Sequence, residues 1–353
     1  MASINQPDYI GRINRLRAEV NRGWLLLYRG GEYFNENLYY LTGLDSFYTA
    51  ALISLEADED YVLVHPIEYE SVMPSCSMRE VIPCTTHKLP QKLLKLISSH
   101  KIDNLYTDYA FASRTPLPAE LIDFIREACP QTAIRPLPEQ LLKMRAIKDN
   151  HEIATIKRGL EIIDKIFSSL PHLIRPGIKE SEIASEIYRQ LVANGFNKFY
   201  DIFVASGKHS ASPYYRANND IVPPNSVILI DICAAIDNYV CDMTRTLPTS
   251  TRFTERHEAI NSMVAEVYRE SIRQVYAGNT LAGISIKAKE YFAAYGIDKY
   301  YLNKIGHFIG LSPDDPGLEH TPLQKGMVLT IEPGLYLPDE GIGMRIEGTV
   351  ILE

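Results

Sequence analysis

Residues 227–247 have the sequence VILIDICAAIDNYVCDMTRTL, which is typical of a β-hairpin because two apolar runs flank a turn at about residues 235–238. Each run contains one acid, Asp231 in the first and Asp242 in the second. A four-residue loop would place these acids directly opposite each other, with Cβ atoms roughly 5 Å apart. Because an unpaired buried charge costs on the order of several kcal/mol, this pair indicates a bound cation.

A second pair of carboxylates repeats the arrangement near the end of the chain. The segments TIEPGLYLP and GMRIEGTVILE, residues 330–338 and 343–353, are strand-like and flank a turn at residues 338–341. They carry Glu332 and Glu347 on either side of that turn, so a second hairpin can also present two opposed carboxylates on one face.

The two hairpins together predict a metal site. Its candidate ligands are Asp231, Asp242, Glu332, Glu347 and His307, the last of which lies in the segment GHFIGL. Any one of these acids could instead lie in a turn or form a salt bridge, but the four acids together with His307 favour metal binding. Four carboxylates would be balanced by two divalent ions. Oxygen-rich ligation with one imidazole favours Mn²⁺, with Co²⁺, Fe²⁺ and Zn²⁺ as alternatives.

Composition restricts the class of protein. The chain has 353 residues, of which 46% are hydrophobic and 23% are charged, as in an ordinary globular protein. A net charge of −8 and the lack of a basic block argue against a nucleic-acid partner. No segment has the pattern of a signal peptide or a membrane span, so we expect a cytoplasmic protein without a membrane partner. Five cysteines without a CxxC pair fit reduced thiols, and Cys233 and Cys241 are predicted to be buried in strands rather than metal-bound.

The pattern along the chain predicts two domains, residues 1–147 and residues 148–353. The first alternates strand-like and helix-like segments, which indicates a smaller α/β domain. LLKMRAIKDNHEI (141–153) leads into a long amphipathic helical stretch that is predicted to continue to about residue 173, and a second helix is predicted to begin near Glu180. The part of the chain after residue 200 combines strands with helices at about 254–276 and 282–294. The second domain is therefore predicted to be α+β, with its strands supplying the candidate ligands.

The quoted motifs resemble those of the pita-bread metallopeptidases, which include methionine aminopeptidase, aminopeptidase P, prolidase and creatinase. ENLYYLTGLDSFYTAALISL (36–55) is similar to the N-terminal domain of the prolidase and creatinase branch, and MRAIKDNHEI (144–153) to the start of its catalytic domain. The resemblance covers nearly the whole chain. It implies a C-terminal pita-bread domain preceded by a creatinase-type N-terminal domain.

The resemblance also implies roles for the candidate ligands. Asp231 would bind the first metal, His307 and Glu332 the second, and Asp242 and Glu347 would bridge both. In this family the metals share a water or hydroxide that attacks the substrate, and Glu332 corresponds to the catalytic carboxylate that transfers the proton to the leaving amine. The prolidase branch implies dipeptides or short peptides with proline in second position, and a homodimer.

The sequence departs from the family pattern where two substrate-side histidines are expected. VASGKHSASPYY (204–215) has Tyr214 at the first position, and GLSPDDPG (310–317) has Asp314 at the second. Tyrosine donates a hydrogen bond but cannot carry a proton as histidine does near neutral pH, and an ionised aspartate repels an oxyanion. Tyr214 and Asp314 are nevertheless the candidate substrate-binding residues, together with Arg345.

Smaller features leave further alternatives open. Arg345 matches the family arginine beside Glu347 and would bind either a substrate carboxylate or a structural partner. His209 and His320 lie near the two altered positions in sequence, where they would either compensate for the missing histidines or simply be solvated. Cys233 replaces an expected glycine, and Gly348 replaces an acid. Because the chain ends soon after Glu347, we also expect a short form or a truncated record.

Three functions follow from these motifs. The first is a two-metal hydrolase of the Xaa-Pro dipeptidase or aminopeptidase P type, cleaving an amide next to proline or a proline-like ring. The second is a pita-bread enzyme that acts on a small non-peptide metabolite by amide hydrolysis, elimination or a related reaction, which the loss of both histidines favours. The third is a catalytically silent binding module, which the intact set of five ligands disfavours.

Overall fold

The structure is a computed structural model that describes residues 7–108 and 117–353. Residues 1–6 and 109–116 of the predicted first domain lie outside the described residues. The chain divides into two compact units, one ending at Met144 and the other running from Arg145 to Glu353. The predicted boundary between residues 147 and 148 lies close to this division and stays a prediction.

The first unit contains a six-stranded mixed sheet with the strand order β4-β3-β2-β1-β5-β6. Its strands are β1 (Trp24–Gly30), β2 (Tyr48–Ser54), β3 (Asp60–Val64), β4 (Glu80–Pro83), β5 (Asn104–Thr107) and β6 (Ala133–Pro136). Its helices are α1 (Tyr9–Val20), α2 (Glu36–Thr42), α3 (Tyr69–Val72), α4 (Leu89–Ser99), α5 (Ala119–Ala128) and α6 (Glu139–Ala146). Leu26 of β1, Leu93 of α4 and Ile125 of α5 belong to one buried core, because each presents an apolar face to the same side of the sheet.

The second unit combines three antiparallel sheets with four long helices. The helices are α7 (Asn150–Ser169), α8 (Glu180–Ala193), α9 (Glu255–Arg273) and α10 (Leu281–Ala294). The sheets consist of β7 (Phe196–Ser206), β8 (Val227–Ile236) and β9 (Tyr239–Pro248); of β10 (Val328–Ile331) and β13 (Gly348–Ile351); and of β11 (Gly334–Leu337) and β12 (Ile342–Arg345). Val264 of α9, Phe292 of α10 and Leu329 of β10 share its main core.

The predicted long amphipathic helix is found as α7, which ends at Ser169, close to the predicted end. The segment before it forms the separate helix α6, with a break before Asn150. Asp149 causes this break by capping α7: its side chain accepts a hydrogen bond from the Glu152 backbone N–H at 3.0 Å, and the Glu152 side chain accepts one from the Asp149 N–H at 2.9 Å. This reciprocal capping box satisfies two donors at the helix start and favours a new helix over a continuous one.

The first hairpin turns within the predicted residues 235–238, but its loop is shorter than the four residues considered above. β8 and β9 are joined by two residues, Asp237 and Asn238, rather than by a four-residue loop. Both have positive φ angles, 48° and 69°, which aspartate and asparagine tolerate better than most residues and which match the twist of paired strands. The second predicted turn is found as expected, with residues 338–341 between Leu337 and Ile342.

None of the helices in residues 7–108 and 117–353 combines the length and the apolar character needed to cross a membrane.

Candidate metal centre

The shorter turn changes how the two aspartates face each other. Asp231 pairs with Thr244 across the β8–β9 ladder, and Asp242 pairs with Cys233. The two aspartates are therefore diagonal neighbours on one face of the sheet rather than direct partners as predicted. Diagonal positions on one face lie close enough for long side chains to interact, so the carboxylates still point into the same region.

The other candidate ligands lie at strand ends. Glu332 follows β10, and its backbone N–H donates to the Ile305 carbonyl at 2.8 Å. Glu347 precedes β13 and donates from its backbone N–H to the Thr244 carbonyl at 3.1 Å. His307 lies in the loop before β10, where Thr330 fixes its backbone through two hydrogen bonds. Both glutamates therefore lie between two strands: Glu332 between β10 and β11, and Glu347 between β12 and β13.

The structure brings these groups together. The His307 Nε2 atom lies 3.8 Å from Asp242 Oδ2 and 3.6 Å from Glu332 Oε1. One ligand atom each from Asp242, His307 and Glu347 fits within 4.8 Å, which is a spacing that a metal ion can bridge. Thr244 Oγ1 donates to Glu347 Oε2 at 2.7 Å and so orients that carboxylate from the neighbouring strand.

Burial disfavours the ionised form of these carboxyl groups. Asp242 is 5% exposed and Glu347 is 2% exposed. Burial, followed by repulsion from Glu332 and Asp231, raises the pKa of Glu347 to about 8, and burial raises the pKa of Glu332 to about 7. Burial and the charges of Glu347 and Asp231 likewise raise the pKa of Asp242 well above its usual range. Each shift has the same largest cause, which is burial, and repulsion between the gathered carboxylates adds to it.

The buried acids of this cluster fit bound divalent cations. Within the described parts of the chain, Asp231 Oδ1 and Asp242 Oδ1 are buried and have no hydrogen-bond partner. Buried carboxylate oxygens without a partner are rare unless a cation or water binds them. Oxygen donors with a single imidazole also suit the divalent metals that the sequence predicts.

Arg345 supplies the one buried cation among the described neighbours of Asp231. Its Nη2 donates to Asp231 Oδ2 at 2.6 Å, its Nη1 donates to the Tyr336 hydroxyl at 2.6 Å, and its Nε lies 3.1 Å from Thr244 Oγ1. The guanidinium is thus held by protein groups, which favours the structural ion pair over direct contact with substrate. The predicted substrate-binding role of Arg345 stays a prediction.

Tyr214 and Asp314 are both exposed. Tyr214 packs edge-on against Phe203, with ring centroids 6.1 Å apart, and Phe203 pairs with Asp231 across the β7–β8 ladder. Glu319 and, more weakly, Asp314 and Tyr214 raise the pKa of Lys304, which puts the two predicted substrate residues on the same side of the molecule. His320 is exposed, while His209 binds Glu180 rather than any of the five candidate ligands.

Sequence reasoning missed two sets of residues that hold this site. The Asn303 side-chain amide donates to the Glu332 backbone carbonyl at 2.7 Å and approaches Glu332 Oε2 at 3.4 Å, so it positions the proposed catalytic carboxylate. Asp315, next to Asp314, binds Arg145 at 2.5 Å and Lys148 at 2.9 Å in a buried ion triad. No local sequence pattern predicts either contact. One available signal is that the arginine and lysine of MRAIKDNHEI could pair with a buried acid elsewhere in the chain.

The two cysteines near the site behave as predicted small buried side chains, each under a tenth exposed. Cys233 faces Asp242, and burial followed by the charges of Asp242 and Asp231 raises the pKa of its thiol. The thiol is therefore a protonated neighbour of the carboxylates, and Cys241 Sγ points to the Ile156 carbonyl at 3.5 Å.

The fold and the carboxylate cluster define a metal-dependent hydrolase, and sequence comparison agrees. The sequence profile of metallopeptidase family M24 matches residues 154–353, and that of the creatinase/prolidase N-terminal domain matches residues 12–147. The chain belongs to metallopeptidase family M24, a family of two-metal enzymes. The predicted pita-bread fold, the creatinase-type first domain and the class of enzyme are thereby confirmed.

Individual relatives are similar over almost the whole chain. The Xaa-Pro dipeptidase of Pyrococcus horikoshii is 27% identical over 323 residues, covering 90% of this chain and 88% of the relative. The crystal structure of the prolidase from the same organism has a TM-score of 0.85 at 25% identity, covering 98% of this chain and 95% of that one. The Xaa-Pro dipeptidase of Bacillus anthracis has a TM-score of 0.87 at 25% identity, with coverage of 98% and 95%.

Proposed function

We propose that this protein is a two-metal peptidase that cleaves an amide bond next to proline or a proline-like ring. Asp231 would bind the first metal, His307 and Glu332 the second, and Asp242 and Glu347 both. The single observation that carries the proposal is the cluster of Asp242, Glu347 and His307, whose ligand atoms fit within 4.8 Å in a buried site that lacks matching positive charge.

The bound metals would activate water and the substrate carbonyl, and the protein side chains would transfer the proton and position the ligands. When bound, two divalent ions would supply a water-derived nucleophile at neutral pH and polarise the scissile carbonyl. Glu332 would accept the proton on its carboxylate and deliver it to the leaving amine. Asn303 would keep the Glu332 carboxylate in place through its contact at 3.4 Å, and Arg345 would hold Asp231 through the bond at 2.6 Å.

The substrate class rests on the relatives. The Pyrococcus horikoshii and Bacillus anthracis proteins are named as Xaa-Pro dipeptidases, and each aligns with nearly the whole of this chain. We expect short peptides with proline in second position, but with slow turnover, because Tyr214 and Asp314 replace groups that would carry protons and stabilise negative charge.

A second candidate function is favoured by the same two residues. An exposed carboxylate at Asp314 and a phenol at Tyr214 suit a substrate that presents a cationic or hydrogen-bond-donating group better than one that develops negative charge there. The pita-bread fold does not fix the substrate, since one fold hosts many chemistries. The alternative is therefore hydrolysis or elimination on a small non-peptide metabolite at the same metal centre.

Three further expectations complete the proposal. Mn²⁺ is the expected metal, because oxygen ligands outnumber the single imidazole, with Co²⁺, Fe²⁺ and Zn²⁺ as alternatives. A homodimer and a cytoplasmic location stay predictions from the sequence and its resemblance.

The test is a substrate panel on the manganese-loaded protein. Gly-Pro, Ala-Pro and an Xaa-Pro tripeptide would be compared with proline-free Gly-Leu and with a set of small amides, and products would be identified by mass spectrometry. We expect metal-dependent release of proline from the dipeptides. Turnover of a non-peptide amide without any peptide cleavage would instead select the second candidate, and no turnover of any compound would contradict both.

The matched variants separate catalysis from metal loss. Glu332→Gln keeps an oxygen ligand but cannot accept the proton, so kcat should fall by about 10²–10⁴-fold. Metal content, measured by elemental analysis, tells whether the loss of activity comes from proton transfer or from loss of the ion. Glu161→Gln, at an exposed position of α7, serves as the control and should leave kcat unchanged.

A further inference from the structure

A cavity in the C-terminal unit lies apart from the metal-ligand cluster. It has a volume of about 640 Å³ and lies between the short turn after β7, the loop before β8, the start of α9 and the turn between β11 and β12. The five candidate metal ligands, Tyr214 and Asp314 are not part of its lining. Its titratable side chains are those of Lys208, His209, Asp220, His257 and Glu340. The cavity is therefore a separate candidate binding site.

The two acids of the lining are held by neighbouring groups but remain open to the cavity. Both oxygens of Glu340 accept hydrogen bonds from Arg256, at 2.8 and 2.6 Å, and these bonds lower the pKa of Glu340. Asp220 Oδ2 lies 3.4 Å from His209 Nε2. The side chains of Glu340 and Asp220 are 38% and 56% exposed. Because an ionised carboxylate offers about four lone-pair sites, both acids can accept a further hydrogen bond from a ligand.

Lys208 supplies a cation that no described acid neutralises. The residue is exposed, and its ammonium group forms no ion pair within residues 7–108 and 117–353. The base of its side chain lies against Gly341, where an added Cβ would meet Lys208 Cβ at 3.2 Å and Lys208 Cα at 3.3 Å. The lysine is thus anchored beside the turn between β11 and β12. Its ammonium group has three donors to offer to an anionic group in the cavity.

His257 is a buried polar side chain in the cavity wall. It is 8% exposed, and its Nδ1 has no hydrogen-bond partner among the described residues. Burial lowers the pKa of its imidazole, so the ring is neutral near pH 7 and adds polarity without charge. A buried polar group without a protein partner usually indicates bound water or a ligand. Apolar side chains form another part of the wall, namely Ile221, Pro223, Pro224 and Ile342.

We propose that this cavity binds a small zwitterion, namely a free amino acid with an apolar side chain. Its carboxylate would meet Lys208, its ammonium group would meet Asp220 and Glu340, and its side chain would contact the apolar wall. Lys208 and Arg256 balance the charges of Asp220 and Glu340, so a ligand without net charge keeps the site neutral. A simple anion would be repelled by the acids, and a simple cation by Lys208.

The first test compares three matched ligands on the manganese-loaded full-length protein. L-Methionine carries both charges, N-acetyl-L-methionine keeps only the carboxylate, and L-methionine methyl ester keeps only the ammonium group. Isothermal titration calorimetry should give a dissociation constant about tenfold higher for each singly charged ligand than for L-methionine, because each loses one charge-assisted hydrogen bond. A wild-type crystal soaked in L-selenomethionine should show anomalous selenium density inside the cavity.

The second test changes the protein. Lys208→Met removes the cation but keeps an unbranched side chain, so the dissociation constant of L-methionine should rise about tenfold. Lys165→Met makes the same change at an exposed position of α7 outside the cavity and should leave that constant unchanged. Both variants keep the candidate ligands of the metal centre. Any L-methionine bound at that centre therefore contributes equally, and the difference between the variants reports on the cavity.

Equal affinity for L-methionine in the wild-type protein and in a folded Lys208→Met variant would overturn the proposal. So would N-acetyl-L-methionine binding as tightly as L-methionine, or a soaked crystal without selenium density in the cavity. Lys208 is exposed, so its replacement should leave the fold intact, which circular dichroism can verify. These measurements record binding alone, so their outcome does not depend on whether the metal centre cleaves peptides.

Discussion

At the scale of single residues, Tyr214 and Asp314 are the features most relevant to substrate choice. Tyr214 is 82% exposed, its ring packs edge-on against Phe203, and its backbone carbonyl accepts a hydrogen bond from the Ser212 hydroxyl, so its side chain is open to a substrate. A phenol has a pKa near 10 and stays protonated at neutral pH, whereas imidazole titrates near 6.5 and can give and take a proton. The difference predicts binding without proton transfer at this position.

Restoring imidazole should therefore speed peptide cleavage. The double variant Tyr214→His with Asp314→His is expected to raise kcat/KM for Gly-Pro by on the order of 10²-fold, the lower end of what one positioned acid or base contributes. Steady-state kinetics with the manganese-loaded enzyme would measure this.

Tyr276→His is the matched control, because Tyr276 is another exposed tyrosine, at 54% exposure. An unchanged kcat/KM in the double variant, with metal content intact, would mean that these positions do not limit peptide turnover.

At the scale of elements, one buried ion triad fixes the loop between His307 and β10. Asp315 accepts from Arg145 and Lys148, and all three side chains are at most 6% exposed. The Asp315 backbone N–H also donates to the Phe308 carbonyl at 2.9 Å. Burial would raise the pKa of Asp315, but Lys148 and Arg145 outweigh it and hold that pKa below its usual value. The loop beside the candidate ligand His307 is thus tied to the start of the C-terminal unit.

Removing the acid should destabilise the protein strongly. Asp315→Ala removes the buried carboxylate that both Arg145 and Lys148 bind, so the free energy of unfolding should fall by about 3–5 kcal/mol. Urea denaturation followed by circular dichroism would measure it.

Lys287→Ala provides the comparison, since Lys287 pairs with Glu290 on the exposed surface of α10 and its loss should have no measurable effect. If both variants unfolded at the same urea concentration, the triad would contribute no more than a surface pair.

At the scale of the whole molecule, the carboxylate cluster couples stability to pH and to metal. In the metal-free protein the pKa of Glu347 is raised from its usual 4.5 to about 8, and that of Glu332 from 4.5 to about 7. The folded state then holds protons that the unfolded state releases above pH 4.5. The stability that these protons contribute is fully present below about pH 4.5 and is lost as the pH rises to about 8.

The melting temperature of the metal-free protein should therefore fall between pH 5 and pH 8, and added Mn²⁺ should restore it most strongly at pH 8. Each kcal/mol corresponds to about 2–4 °C for a domain of this size. Differential scanning calorimetry with and without the metal would measure both effects.

Glu347→Gln carries no titrating proton and should flatten the pH dependence of the metal-free protein, whereas Glu161→Gln should not. A metal-free melting temperature that rises steadily from pH 5 to pH 8 would contradict this account of the cluster.

Much of the fold and of the candidate site follows from short-range patterns. The hairpins around 235–238 and 338–341, the acids within them and the helices starting at Glu180 and Glu255 were all predicted, because turn residues and periodicity are local properties of the chain. The exact length of the first loop does not follow from these patterns, because it depends on the positive φ angles of Asp237 and Asn238. The capping box of Asp149 sets the start of α7 at Asn150 more sharply than hydrophobic periodicity does.

Contacts between distant segments required the folded structure. Arg345 meets Asp231 across 114 residues, Lys148 meets Asp315 across 167, and His209 meets Glu180 across 29. Such pairings leave no periodic trace in the sequence, because packing of whole elements brings them together. The local sequence thus indicated a metal site with carboxylates on two hairpins, and the resemblance to the pita-bread metallopeptidases implied a hydrolase. Packing placed Arg345 on Asp231, Asn303 against Glu332 and Glu180 beside His209, because each of these contacts depends on how separate elements meet.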